Sequence, residues 1–122
     1  MPSFGTLKAD TLTHSTAGSL ATNFVVEGSA KAWADTNATG TTVNDSLNLS
    51  SLTDASTGQQ TFNFSTSFNN TSYCSLLTVR NNVNQIWIED SNKATGSAQG
   101  RSFTGSSYQD VPQNALFAGD LA

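Results

Sequence analysis

Apolar side chains recur at every second position through the middle of this chain. Leu47 and Leu49 do so before a turn, Phe62 and Phe64 after it, and Asp54-Ala-Ser-Thr-Gly58 lies between them. A period of two is that of a half-buried strand. Residues 45–73 therefore predict a β-hairpin with four large apolar side chains on one face and Asn, Ser, Thr and Gln on the other. Just upstream, Asn23-Phe-Val-Val-Glu27 has strand composition. In Ser29-Ala-Lys-Ala-Trp-Ala34, Ala30, Ala32 and Ala34 share one face and leave Lys31 and Trp33 on the other. Alanine and lysine suit a helix equally; the shortness of the run and the Gly28 before it favour a strand.

Downstream, 72–79 and 83–88 read as two further strands joined through Asn81-Asn82, residues that tolerate the left-handed region of a tight turn. Ile86 and Ile88 share a face, with Trp87 opposite. Residues 90–107 predict a long loop with a short strand around Phe103, and 108–122 a closing strand carrying Leu116 and Phe117. Three connections repeat one plan, Asp35 to Gly40, Asp54 to Gly58 and Asp90 to Gly96. In each, an Asp opens the turn by bonding its own downstream backbone, and a Gly supplies the positive φ that closes it. Before all of this, Phe4, Leu7, Leu12 and Leu20 keep neither period, and Pro2, Gly5 and Gly18 interrupt them. The expected organisation is an extended N-terminal arm over 1–22 and a single β domain over 23–122. The expected fold is all-β, an antiparallel β-sandwich or jelly-roll-like, built from about seven to nine short strands.

Composition sharpens this picture. Charged residues are 11% and hydrophobic ones 36% of the 122, which implies a thin core beneath an uncharged polar surface. A net charge of only −4 with 9% aromatics sets the chain apart from disordered sequences. The pI of about 4.5 and the scatter of Lys8, Lys31, Arg80, Lys93 and Arg101 argue against a nucleic-acid partner, which needs clustered cations. No apolar run approaches the roughly 20 residues of a membrane span, so no membrane partner is expected. The first residues lack the basic and apolar regions of a secretory signal. Cys74, alone in the chain, has no partner for an intramolecular disulfide, and its place in an apolar strand predicts a buried structural thiol.

Candidate chemistry is sparse. His14 is the only histidine, so neither a Ser-His-Asp triad nor a multi-histidine metal site can form within one chain. The carboxylates Asp35, Asp45, Asp54, Glu89 and Asp90 are candidates for glycoside chemistry, with Asp45 and Glu89 the pair to test. Most of them occupy turn signals that explain an acid without catalysis. The Asp-rich loops do not match the ligand spacing of an EF-hand. No catalytic residue, metal or cofactor is expected. Trp33, Trp87, Tyr73 and Tyr108 suit either stacking on sugars or packing in a core or subunit interface, and a thin core favours packing.

Several ungapped blocks resemble a module of virion structural proteins from marine and cyanobacterial tailed phages. They are Phe4-Gly-Thr-Leu-Lys-Ala-Asp-Thr-Leu-Thr-His-Ser-Thr-Ala-Gly18, Gly28-Ser-Ala-Lys-Ala-Trp33, Asp45-Ser-Leu-Asn-Leu-Ser-Ser-Leu-Thr-Asp54 and Thr57-Gly-Gln-Gln-Thr-Phe-Asn-Phe64. The closing Phe117-Ala-Gly-Asp-Leu-Ala122 is similar to the ends of the same proteins, while 79–108 lies outside the resemblance. After Trp33 the chain departs from the module, with Ala34-Asp-Thr-Asn-Ala-Thr39 in place of a more apolar strand. The resemblance implies a capsid decoration or cement protein on the virion surface, made in the host cytoplasm. Its partners would be the major capsid protein and copies of itself, as a trimer. Phe4, Leu7, Lys8 and Leu12 would make the capsid or intersubunit contacts. The alternative it implies is a tail-fibre or receptor-binding module, in which Trp33, Trp87 and Tyr108 would meet a host-surface glycan. The resemblance carries no catalytic residue.

Overall fold

The structure, a computed structural model, describes Gly5 and residues 8–80 and 85–122, with His14 described by its backbone alone. Two short strands, β1 (Thr11–His14) and β2 (Gly18–Ala21), form a hairpin that leads into a helix, α1 (Thr22–Gly28). Eight further strands follow. They are β3 (Ala30–Thr36), β4 (Val43–Leu47), β5 (Leu49–Ser56), β6 (Gln59–Phe64), β7 (Cys74–Val79), β8 (Gln85–Ile88), β9 (Ser97–Phe103) and β10 (Gln113–Ala118). They make two four-stranded sheets, ordered β4-β3-β10-β7 and β5-β6-β9-β8, with every neighbouring pair antiparallel. The two sheets pack face to face as the expected all-β sandwich.

Alternation decides which side chains enter the space between the sheets. Ala32, Ala34 and Thr36 of β3 and Gln113, Ala115 and Phe117 of β10 point inward from the first sheet. They meet Gln60, Phe62 and Phe64 of β6 and Ala98, Gly100 and Ser102 of β9. A chain with few large apolar residues fills its core by setting phenylalanines against alanines and glycine. The Phe64 ring meets Phe68, Tyr73 and Phe117 edge-on at 5.1, 5.8 and 5.0 Å, a geometry aromatic quadrupoles favour. At one end the core is polar. Gln113 Nε2 donates to Gln60 Oε1 at 2.6 Å, and Gln60 Nε2 donates to Asp110 Oδ1 at 2.9 Å. Thr36 Oγ1 accepts from the Gln113 backbone N–H and donates to the Gln113 carbonyl. This chain of bonds ties the two sheets together where apolar contact is thin.

Four expectations need correction. The stretch 23–27 is helical. The β1–β2 ladder ends at Thr11 and Ala21, so a strand beyond it would have no partner, and local hydrogen bonds win. The single hairpin over 45–73 is divided. Asn48 takes the left-handed conformation (φ 57°), and β4 and β5 on either side of it belong to different sheets. Leu47 consequently faces solvent from the first sheet, while Leu49 packs against the core of the second. The expected loop over 90–107 holds a seven-residue strand, β9, whose small residues hide it from a hydrophobicity pattern. A Cβ on Gly100 would lie 2.9 Å from the Leu77 side chain and 3.2 Å from Phe62. Finally, Cys74 is exposed, because β7 turns Leu77, not Cys74 and Leu76, toward the core. The expected turn at Asn81-Asn82 lies outside the described residues.

Candidate interaction surface

The outer face of the first sheet is set by the same alternation. Residues one step out of phase with the core emerge from all four strands, and cross-strand pairing aligns them. Leu47 of β4 lies opposite Trp33 of β3, Trp33 opposite Leu116 of β10, and Leu116 opposite Leu76 of β7. The result is one continuous apolar row across the sheet. Leu47, Leu116 and Leu76 are 48%, 40% and 58% exposed, and Trp33 is half-buried between its neighbours. One register step away runs a polar row, Asp45–Asp35–Asn114–Thr78. There Asp35 pairs with Arg80 at 3.2 Å and accepts from Asn44 Nδ2 at 3.0 Å. Trp33, Leu76 and Leu116 border a shallow groove of about 410 Å³ against this rim. A large apolar patch edged by polar groups is the usual form of a protein contact surface.

A second group of exposed apolar side chains lies in the N-terminal segment. Leu12, Leu20, Phe24, Val25 and Val26 are all more than 40% exposed, and no described side chain from Lys8 to Ser29 is buried. The hairpin and helix hold to each other through Thr22, whose N–H donates to the Asp10 carbonyl and whose hydroxyl donates to the Ala9 carbonyl. Lys31, on the outer face of β3, fixes the junction with the sandwich. Its ammonium donates to the carbonyls of Val26 and Ser29 and to the Ser29 hydroxyl, the favourable place for a cation at a helix C-terminus.

The outer face of the second sheet carries a small aromatic group. Trp87 and Tyr108 have ring centroids 6.5 Å apart, and Phe103 meets Tyr108 edge-on at 5.3 Å. Arg101 bonds the Tyr108 hydroxyl and pairs with Glu89 at 3.1 Å. Trp87 Nε1 donates to the same Glu89 carboxylate at 3.3 Å.

The residues singled out by sequence thus separate. Trp87 and Tyr108 come together, whereas Trp33 lies on the opposite sheet in the apolar row. Lys8 and Leu12 are exposed on the arm, and Phe4 and Leu7 lie outside the described residues. Asp45 and Glu89 do not come together, Asp45 lying in β4 of the first sheet and accepting from the Ser46 N–H, and Glu89 lying just beyond β8 of the second and held by Arg101 and Ser91. Asp54 and Asp90 are exposed. Among the described residues, no three His, Cys, Asp or Glu side chains come together as a metal site would require. Leu47, Leu76 and Leu116 were not singled out from the sequence as surface or contact residues, Leu47 being expected on the core face of a hairpin. The signal was available in Leu76-Leu77 and Leu116-Phe117, because two adjacent large apolar residues in a strand must face opposite sides. No protein-family profile, curated protein or solved structure matches the chain.

Proposed function

We propose that this chain is a structural protein of a virion, a decoration protein bound across capsid subunits on the outside of a head. The observation that carries the reading is the division of the molecule into a sandwich closed around its own core and an N-terminal segment in which no described side chain is buried. Such a segment has surface to give to a partner at little conformational cost to the body. The sequence blocks that resemble phage virion modules include this segment, which adds support. The β1–β2 hairpin and the residues before it, with Lys8 and Leu12 and the sequence-adjacent Phe4 and Leu7, lie against the major capsid protein. The mechanism is mechanical. Many modest contacts over a wide interface, multiplied by the symmetry of a homotrimer and of the shell, oppose the pressure of packaged DNA.

The test is occupancy on particles. A chain lacking residues 1–20 should leave heads bare in electron-microscopy maps while the full chain decorates them; full occupancy by the shortened chain would end this reading.

The grouping of Trp87, Phe103 and Tyr108 beside Arg101 and Glu89 favours one other reading, a receptor-binding module that stacks sugars on the second sheet. It predicts binding of the full chain to host cells, reduced at least about tenfold by Trp87→Ala. Equal binding by the two chains would remove it.

A further inference from the structure

Helix α1 ends at Gly28 and β3 begins at Ala30, so a single residue, Ser29, joins the N-terminal segment to the sandwich. We infer that Gly28-Ser29 is a hinge and that Lys31 is the latch that holds the segment at one angle to the sandwich. The inference rests on the structural reading for what the segment meets, not for the hinge itself.

The segment turns as a unit because its parts are bonded to one another. The β1–β2 ladder pairs Thr11 with Ala21 through to His14 with Gly18, and Thr22 fastens the start of α1 to the carbonyls of Ala9 and Asp10. At the other end of the helix little opposes a rotation. Ser29 is extended, with φ −78° and ψ 148°, a conformation open to any residue, and a Cβ on Gly28 would meet nothing within 4 Å. A few such element-terminal residues can absorb the φ/ψ change of a hinge. No side chain of α1 is buried, so turning it uncovers no core. The helix is a rod of about 10 Å, and a turn of about 30° at Ser29 carries its far end some 5 Å.

Lys31 opposes that turn. The last carbonyls of a helix have no donor within it. The Val25 carbonyl finds one in the Ser29 N–H at 3.3 Å. The Val26 carbonyl finds one in the Lys31 ammonium, which also donates to the Ser29 carbonyl at 2.9 Å and to its hydroxyl at 2.7 Å. Three acceptors use every donor an ammonium has, and they lie on both sides of Gly28. The backbone of Lys31 is meanwhile fixed between Ala30 and Ala32, which pair with Ala118 and Phe117 of β10. Rotation at the hinge would part Val26 from Ser29 and break the set. Among the described residues, the Lys31–Val26 bond is the one hydrogen bond that joins positions 18–28 to the sandwich. The consequence is preorganisation, since a segment already held at one angle gives up less conformational freedom on meeting a partner than one that swings.

Distances between two spin labels on the full chain test this by double electron–electron resonance. Cys74, the chain's one cysteine and exposed on β7, carries the first label, and Leu20→Cys, at an exposed position of the hairpin, carries the second. With Lys31 in place the distance distribution should be a single narrow peak. Lys31→Met keeps the stem but removes the donors, and should widen the distribution at least about twofold; Lys31→Arg, which restores donors, should narrow it again. A control pair within the sandwich, Cys74 with Asp54→Cys, should keep one width in all three chains. A distribution as broad with Lys31 as with Lys31→Met, or one that stays narrow in Lys31→Met, would overturn the proposal. So would a control pair that broadens in Lys31→Met, because Lys31 would then be holding the sandwich itself. Occupancy on particles is scored separately, so heads left bare by the full chain would end the decoration reading and leave the hinge standing.

Discussion

Tyr73 shows how a single side chain couples the core to solution conditions. Its ring stacks on Phe68 at 4.2 Å, its hydroxyl reaches the carbonyls of Ala94 and Ser97 at 2.9 and 3.0 Å, and only 3% of the residue is exposed. Burial disfavours the phenolate and pushes its pKa up from 10.0 to about 12. Below pH 10 both folded and unfolded chains hold the proton, and the full stabilisation is present. Between pH 10 and 12 the unfolded chain releases the proton while the folded chain keeps it. Stability therefore falls over that window, by up to about 2 kcal/mol. Urea denaturation from pH 8 to 11.5 should show this decline, and Tyr73→Phe should flatten it at a cost of about 1 kcal/mol at pH 8. A decline of equal slope in the variant would place the titration elsewhere. The Gln60–Gln113 bond is the other side-chain feature of consequence. Gln113→Ala leaves Gln60 Oε1 buried without its donor, which should cost about 1–3 kcal/mol in denaturant unfolding. An unchanged midpoint would mean that water replaces the lost donor.

Turns and strands differ in how plainly the sequence announces them. Of the turn expected over Asp54-Ala-Ser-Thr-Gly58 the glycine end was readable, because positive φ has few solutions other than glycine. Its Asp54 end was not, since β5 runs on to Ser56 and the turn is Thr57-Gly58 alone. Gly58 has φ 68°, its N–H donates to Asp110 Oδ1 at 2.6 Å, and an added Cβ would sit 2.6 Å from the Ser102 carbonyl. Gly58→Ala should therefore cost about 3 kcal/mol or more in thermal unfolding, while Gly28→Ala, with nothing within 4 Å, should change stability by less than about 0.5 kcal/mol. The β3 pattern, alanines inward and Trp33 outward, was equally legible, since only one of its faces is tightly packed. Phase was illegible where both faces carry large apolar residues. In β7 the neighbours Leu76 and Leu77 satisfy either assignment, and only the pairing of Leu76 with Leu116 decides it. The break at Asn48 was hidden because Leu47 and Leu49 continue the strand period straight through it. Helix α1 was missed for a related reason, its two valines describing a strand whose partner does not exist.

The sandwich and the arm stand in different relations to stability. The buried aromatic cluster belongs wholly to residues after Ala30, with Phe62, Phe64, Phe68, Tyr73 and Phe117 at its centre. Phe117→Ala should accordingly cost about 3–5 kcal/mol. No described side chain from Lys8 to Ser29 is buried, so a protein lacking residues 1–28 should unfold at the temperature of the full chain. Calorimetry on the two proteins reads this directly, and a midpoint lowered by several degrees in the shortened protein would show that the sandwich leans on the segment before it.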